Sequence, residues 1–200
     1  MIKKEYSAAA VKFSFWFAEF RKVISLIQSG KSIEDIKSLA ENENIFSAST
    51  PMRSRQIFNT VSARVSSLSD SFYEIFGKCT LESQRQIALI AIMNTDSLFF
   101  DFMNEVFREK LIIGDTKLTD ADIRVFFLNK QRESEKVSGW TDETLTRLHR
   151  CYKTYLAEAG LVDRGVGDRN IIRPLMDDEL RRIMSSGSTN QHLIILSGTR

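Results

Sequence analysis

Hydrophobic positions recur at intervals of three and four along most of this chain, the period of one helix face. Phe13, Phe17, Phe20, Ile24 and Ile27 predict a first helix over about 10–28, with Arg21 and Lys22 facing away. After Ser29-Gly30, Ser32 and Asp35 form a capping box for a second helix whose apolar side is Ile33, Ile36, Leu39 and Ala40. An Asn- and Ser-rich turn at 42–50 leads to Thr50-Pro51, a capping hydroxyl followed by proline at the first helical position. The third helix turns Ile57, Phe58, Val61 and Val65 inward, and a serine-rich patch at 66–71 kinks or breaks it before Phe72, Ile75 and Phe76. Thr80 caps a fourth helix that is apolar all round over 87–93, so its end belongs in the middle of the core. Asp96 starts a fifth helix, and Thr119 with Asp122 caps a sixth. The polar stretch 129–139 reads as a linker.

The best-marked helix lies within 140–163. Thr141 is its N-cap, and Asp142 and Glu143 place negative charge beside the unpaired N–H groups of the first turn. Leu145, Leu148, Tyr152, Tyr155, Leu156 and Ala159 form its apolar stripe, and Gly160 stands where a left-handed residue ends a helix. Arg147, Arg150 and Lys153 give it a cationic opposite face. Two short β-prone runs around a Gly-containing turn then predict a small hairpin, or wing, over 161–173, with Arg164, Arg169 and Arg173 on or beside it. A last helix follows at 176–184. The turn 185–191 is expected to be flexible, and the apolar tail Leu193, Ile194, Ile195 and Leu196 must pack in cis or against a partner.

Two prolines and nine glycines in 200 residues support a mainly α fold. We expect two packed helical subdomains, 1–78 with a helix-turn-helix-like pair and 79–200 with a winged-helix element at 140–184. Net charge is only +2, from 28 basic and 26 acidic residues, so any cationic surface must come from local segregation. Cys79 and Cys151 have no metal-ligand spacing and read as free thiols. No secretory signal is evident, and the apolar run 87–93 is far below the roughly 20 residues of a spanning helix. A cytoplasmic chain with a mobile polar start at Lys3 and Lys4 is expected.

Residues 32–65 spell helix, turn, helix, and the second helix carries Arg53, Arg55 and Arg64 with no acid. In a helix-turn-helix reader that element enters the major groove, although an ordinary αα-hairpin has the same outline. Gln56 and Asn59 are its base-reading side chains. His149 and His192 lack ligand-spaced neighbours, and the acid pairs 120/122 and 177/178 are explained as helix-start charges. The Gly165–Asp168 turn lacks the Gly-Lys-Ser/Thr element of a phosphate loop. No catalytic residue, metal, cofactor or small-molecule substrate is therefore expected.

Tyr6-Ser7-Ala8, Ser49-Thr50-Pro51 before an Arg-bearing helix, and Phe107-Arg108-Glu109-Lys110-Leu111 stand in the same order as in a known family. So do Leu118-Thr119 with Asp122-Ile123, the run from Trp140 through Leu145, Arg147 and Leu148 to the 156–161 segment, and Arg173-Pro174-Leu175. With these marks the chain resembles the BrxA family of the bacterial BREX phage-defence systems, over about 6–183. The resemblance implies a small helical protein, similar to helical antitermination factors of the NusB type, that binds double-stranded DNA without a catalytic motif. It also implies a place beside a methyltransferase, a phosphatase-like protein and ATPases. The expected function is thus a DNA-binding, phosphate-contacting defence component. The rivals are an assembly adaptor for other BREX proteins and an RNA-binding factor.

Overall fold

A computed structural model of the chain describes residues 5–185 and 187–199; the expected mobility of Lys3 and Lys4 lies outside them. Its first element is a 3-10 turn, Ala9–Lys12, and only then comes α1, Phe17–Gln28. The expected helix over 10–28 therefore begins only at Phe17 and ends where expected, at Gln28. Trp16 takes a left-handed conformation (φ 53°) at its N-cap, and the extended stretch before it offers its carbonyls to a side chain of another helix. A bulky residue at positive φ is a strained arrangement that surrounding structure must hold in place.

Helices α2 (Ile33–Asn42) and α3 (Pro51–Val65) start as the capping residues predict. Ser32 and Asp35 close a capping box, and Thr50 accepts the Arg53 N–H. The turn between them is closed by the Asn44 side chain, which bonds the Ala48 N–H and C=O. The chain leaves helix at 66–69 and resumes as α4, Asp70–Phe76. Next comes α5, Leu81–Thr95, whose residues 83, 84 and 86–93 are all buried. It packs against α1, α3 and α4 on one side of residue 78 and against α6, Ser97–Phe102, on the other. One hydrophobic core consequently runs from Ala10 to Leu196.

The helix begun at α6 widens into a π-helical turn, Met103–Phe107, and continues as α7, Arg108–Ile113. Thr119 and Asp122 box the start of α8, Asp120–Glu133. The stretch read as a linker is structured. Lys130 is buried among Asp101, Glu105 and Glu133, and Val137 of the short α9, Glu135–Ser138, is fully covered. Its polar composition misled because the lysine's partners stand on a different helix turn. Burial pushes the Lys130 pKa down, but the hydrogen bonds it donates to Glu105 and Glu133 more than reverse this, and the ammonium is held charged.

Helix α10, Asp142–Glu158, has the predicted cap at Thr141, and Gly160 closes it at φ 77°. Tyr152, within its stripe, lies among Phe99, Phe102 and Phe127 at ring separations of 4.9, 5.1 and 5.6 Å. Each such buried ring contributes up to roughly 3 kcal/mol by transfer from water.

The expected hairpin is present. Val162 bridges Ile171, flanked by Ile172 N–H to Leu161 C=O and Asp163 N–H to Asn170 C=O. The structure adds a strand from afar. β1, Lys117–Leu118, pairs antiparallel with β2, Arg169–Asn170, in the register Lys117↔Asn170 and Leu118↔Arg169.

The chain then crosses to α11, Asp178–Met184, and the supposedly flexible stretch after it contains a 3-10 turn, Gly187–Thr189, leading into α12, Asn190–Ser197. The apolar tail packs in cis: Ile195 and Leu196 are fully buried, and α12 lies on α7 and α11. Gly198 allows this approach, since a Cβ there would stand 2.5 Å from Leu111 Cβ.

Candidate nucleic-acid interface

Segment 9–16 lies between α3 and α10 and ties them together. On the α3 side, the Gln56 amide donates to the Lys12 carbonyl at 3.4 Å, and Arg64 Nη1 donates to the carbonyls of Ser14 and Phe15, both at 2.9 Å. On the α10 side, the Tyr155 hydroxyl donates to the Phe13 carbonyl at 2.9 Å, and Cys151 Sγ approaches the Ala10 carbonyl at 3.3 Å. Lys12, Arg55, Asn59, Arg147 and Arg150 are left exposed on these three elements.

The α3 side chains differ in how free they are. Arg53 is half-buried, its guanidinium 4.9 Å over the Trp16 ring, with Nη1 donating to Gln56 Oε1 at 2.6 Å. The indole face and the amide hold the head in place while leaving its charge unneutralised. Arg55 is two-thirds exposed and makes a loose 3.5 Å pair with Glu41 of α2. Asn59 is exposed, and its side chain makes no hydrogen bond among the described residues.

Arg64 is a correction. It is 4% exposed, donating to two carbonyls and, through Nη2, to Tyr155 Oη at 3.4 Å. Burial pushes its pKa down, but an arginine so far inside serves the fold and presents no charge to a polyanion. The helical period did place it near the apolar face, beside Val61 and Val65.

On α10, Arg147 stands 4.0 Å from Glu143 and Arg150 makes no side-chain contact with an acid among the described residues. Lys153 is the second correction. It is buried, with Nζ 2.6 Å from Asp120 Oδ1 and 3.0 Å from the Gly167 carbonyl. Asp120 also meets His149 Nε2 at 3.0 Å, and its own N–H donates to Asp168. The Lys153 hydrogen bond draws the Asp120 pKa down, while burial lowers that of His149. Lys153 thus latches the 164–168 loop to the start of α8.

In that loop Arg164 is exposed and 3.3 Å from Glu158. Arg169 is half-buried, with Nε and Nη1 lacking partners. Arg173 is exposed, with Nη2 on the Leu111 carbonyl at 3.0 Å. Asp163 accepts the Asn170 N–H and amide and so closes the loop.

Sequence reasoning missed three cations. Lys12 was hidden by an apolar helical pattern that the chain does not follow there. Arg124 and Arg132 are exposed on α8, on either side of the exposed Val125 and Leu128. The signal for α8 was the pairing of Val125 with Leu128 opposite Ile123, Phe126 and Phe127. Among the described residues no group of three or more His, Cys, Asp or Glu side chains is placed to hold a metal ion. No described helix is long and apolar enough to cross a membrane.

Comparison with known proteins bears on the chain as a whole. A family model described as BrxA matches residues 4–187. A curated relative, "BREX protein BrxA" of Bacillus cereus (strain H3081.97), is 41% identical over 189 residues, covering 94% of this chain and 94% of the relative. The crystal structure of an uncharacterized protein from Magnetospirillum magneticum matches with a TM-score of 0.77 over 98% of this chain and 99% of that one. At 16% identity that likeness concerns the fold alone.

Proposed function

This chain belongs to the BrxA family, and from that premise we propose that it serves phage defence as a non-enzymatic BREX component that binds double-stranded DNA, mainly through phosphates. The observation that carries this reading is that Lys12, Arg53, Arg55, Arg147 and Arg150 all lie on segment 9–16, α3 and α10, the three elements tied together at one joint, and that all but the half-buried Arg53 are exposed. Arg55 and Arg147 have only loose acidic neighbours, so their charge remains available to a polyanion. Asn59 is the exposed α3 amide available to a base edge, Gln56 must release Lys12 and Arg53 to serve as one, and Arg164, Arg169 and Arg173 of the hairpin extend the cationic set. Lys153 supports the 164–168 loop from within.

Retardation of a duplex at low salt, in competition with structured RNA, tests this. Preferential displacement by RNA would replace the DNA reading with the RNA-binding one.

A second reading, an adaptor for other BREX proteins, is favoured by a different face. Val125 and Leu128 are 54% and 52% exposed on α8, between Arg124 and Arg132. The buried tail no longer argues for it. If this reading holds, V125E/L128E abolishes nuclease-resistant capture of purified BREX proteins and leaves duplex retardation intact.

A further inference from the structure

A cavity of about 360 Å³ opens between segment 5–13, the second half of α3 and the α5–α6 turn. That volume is at the small end of ligand sites. Two ionisable groups line it without pairing. Arg64 spends Nη1 and Nη2 on the Ser14, Phe15 and Tyr155 oxygens, and its Nε makes no hydrogen bond among the described residues. Asp96 uses Oδ1 to cap Leu98 and Phe99, and its Oδ2 makes none among the described residues. Burial pushes the Asp96 carboxyl up to about 6. Both residues line the cavity, and a ligand that displaces solvent from it must meet their remaining polar atoms, so this pair selects an occupant with a donor and an acceptor of its own.

Charge narrows the class. Arg64 is offset by Asp96, and Glu5 stands at the rim, so the cavity does not select an anion. Phe13, half-buried, adds an aromatic ring to the lining, and Asn59 and Thr60 add polar groups. Gln56, Asn59 and Ala63 follow one another at helical spacing, so the mouth lies on α3 just beyond the side chains assigned to DNA.

We propose that this cavity is a nucleobase-binding site, in which Asp96 and Arg64 meet the donor–acceptor edge of a neutral base that enters past Asn59 and Ala63. The base is supplied either by extrusion from a bound duplex, a source that rests on the DNA reading above, or as a free nucleoside, which does not depend on it. Extrusion costs a few kcal/mol of unstacking, least at a mismatch.

The test uses 2-aminopurine as the probe, with the full chain and two variants. Ala63→Phe fills the mouth from an exposed position. Asp96→Asn keeps the helix cap, since Asn and Asp cap equally well, but adds a donor where an acceptor stood. Titration of 2-aminopurine riboside, read by anisotropy, is expected to saturate with the native chain. It should weaken about tenfold with Asp96→Asn and vanish with Ala63→Phe. With a duplex carrying 2-aminopurine at a mismatch, a rise in emission that Ala63→Phe removes identifies extrusion as the source. A riboside signal with a flat duplex signal identifies the free nucleoside. If neither probe responds, or if Ala63→Phe leaves both responses intact, the cavity assignment is overturned. Unchanged duplex retardation in that case leaves the DNA surface standing. Loss of all retardation with a surviving riboside signal removes the DNA reading and keeps the cavity.

Discussion

Arg64 and Tyr155, 91 positions apart, meet in the interior, with the guanidinium Nη2 donating to the phenol oxygen at 3.4 Å. The contact joins α3 to α10 beneath the segment that carries Lys12. The arginine's other bonds go to the Ser14 and Phe15 carbonyls, which belong to the strained approach to Trp16. Arg64→Met should therefore destabilise the chain by about 3 kcal/mol, because it strands the buried Phe15 carbonyl and removes the bonds to the Ser14 carbonyl and the Tyr155 hydroxyl. Urea denaturation measures this. Duplex affinity per folded molecule should keep the native salt slope, since Arg64 contributes no phosphate contact.

Tyr152 makes the opposite case. Its ring is fully buried, and its hydroxyl has no hydrogen-bond partner. Tyr152→Phe removes an unmet polar group and keeps the ring packing, so stability should rise by about 1 kcal/mol. A midpoint that falls in urea would show that the hydroxyl is satisfied in solution.

Lys130 holds α8 against the π-helical turn through Glu105 at 2.6 Å, with Glu133 at 2.8 Å and Asp101 at 3.9 Å. Lys130→Met leaves Glu105 and Glu133 near one another without the lysine's charge between them. Because Glu105 and Glu133 are partly in solvent, the loss should be about 2 kcal/mol, below the range for a fully buried pair. It should shrink at high salt, which denaturation at two ionic strengths will report.

Two buried groups act against each other in mild acid. Burial against Phe100 pushes His192 down to about 4 from its ordinary 6.5, so the fold prefers it neutral. Stability from this group is full above pH 6.5 and falls as pH drops toward 4. Asp96, raised from 3.8 to about 6, binds a proton more readily in the fold than in the unfolded chain, so its effect is to increase stability as pH falls from 6 to 3.8. The lowered Asp35, Asp115, Asp120, Asp122 and Asp177 lose their contributions only below about 3.8. Between pH 6.5 and 4 the two effects, each about 3 kcal/mol in size, nearly cancel. His192→Leu should then gain stability on acidification from pH 7 to 4.5, and Asp96→Asn should lose it. Urea midpoints at both pH values give the sign.

Local signals carried most of the fold. The caps at Ser32, Thr50, Thr80, Asp96, Thr119 and Thr141 act within three residues, and each helix starts where its cap stands. Long-range partners were not legible. Nothing near Lys130 or Lys153 announces Glu105 or the Gly167 carbonyl, so both lysines read as solvent-facing. The pairing of 117–118 with 169–170 is equally distant in sequence. The start of α1 was misread because Phe13 and Phe17 keep a helical period while Arg64 and Tyr155 draw the intervening carbonyls elsewhere. At the candidate interface, the exposed arginines could be read from the sequence as a group, but which of them stay outside depends on how α3 and α10 pack.

The central claim is tested most directly by the salt dependence of duplex binding, measured for the native chain and for R53Q/R55Q/R147Q/R150Q. Each lost phosphate contact flattens the log–log slope by about 0.9. If all four arginines contact phosphates, the quadruple variant should bind more weakly, with a slope shallower by about 3 to 4, and fold with native stability. An unchanged slope, or a native chain that fails to retard duplex even at low salt, would contradict the account.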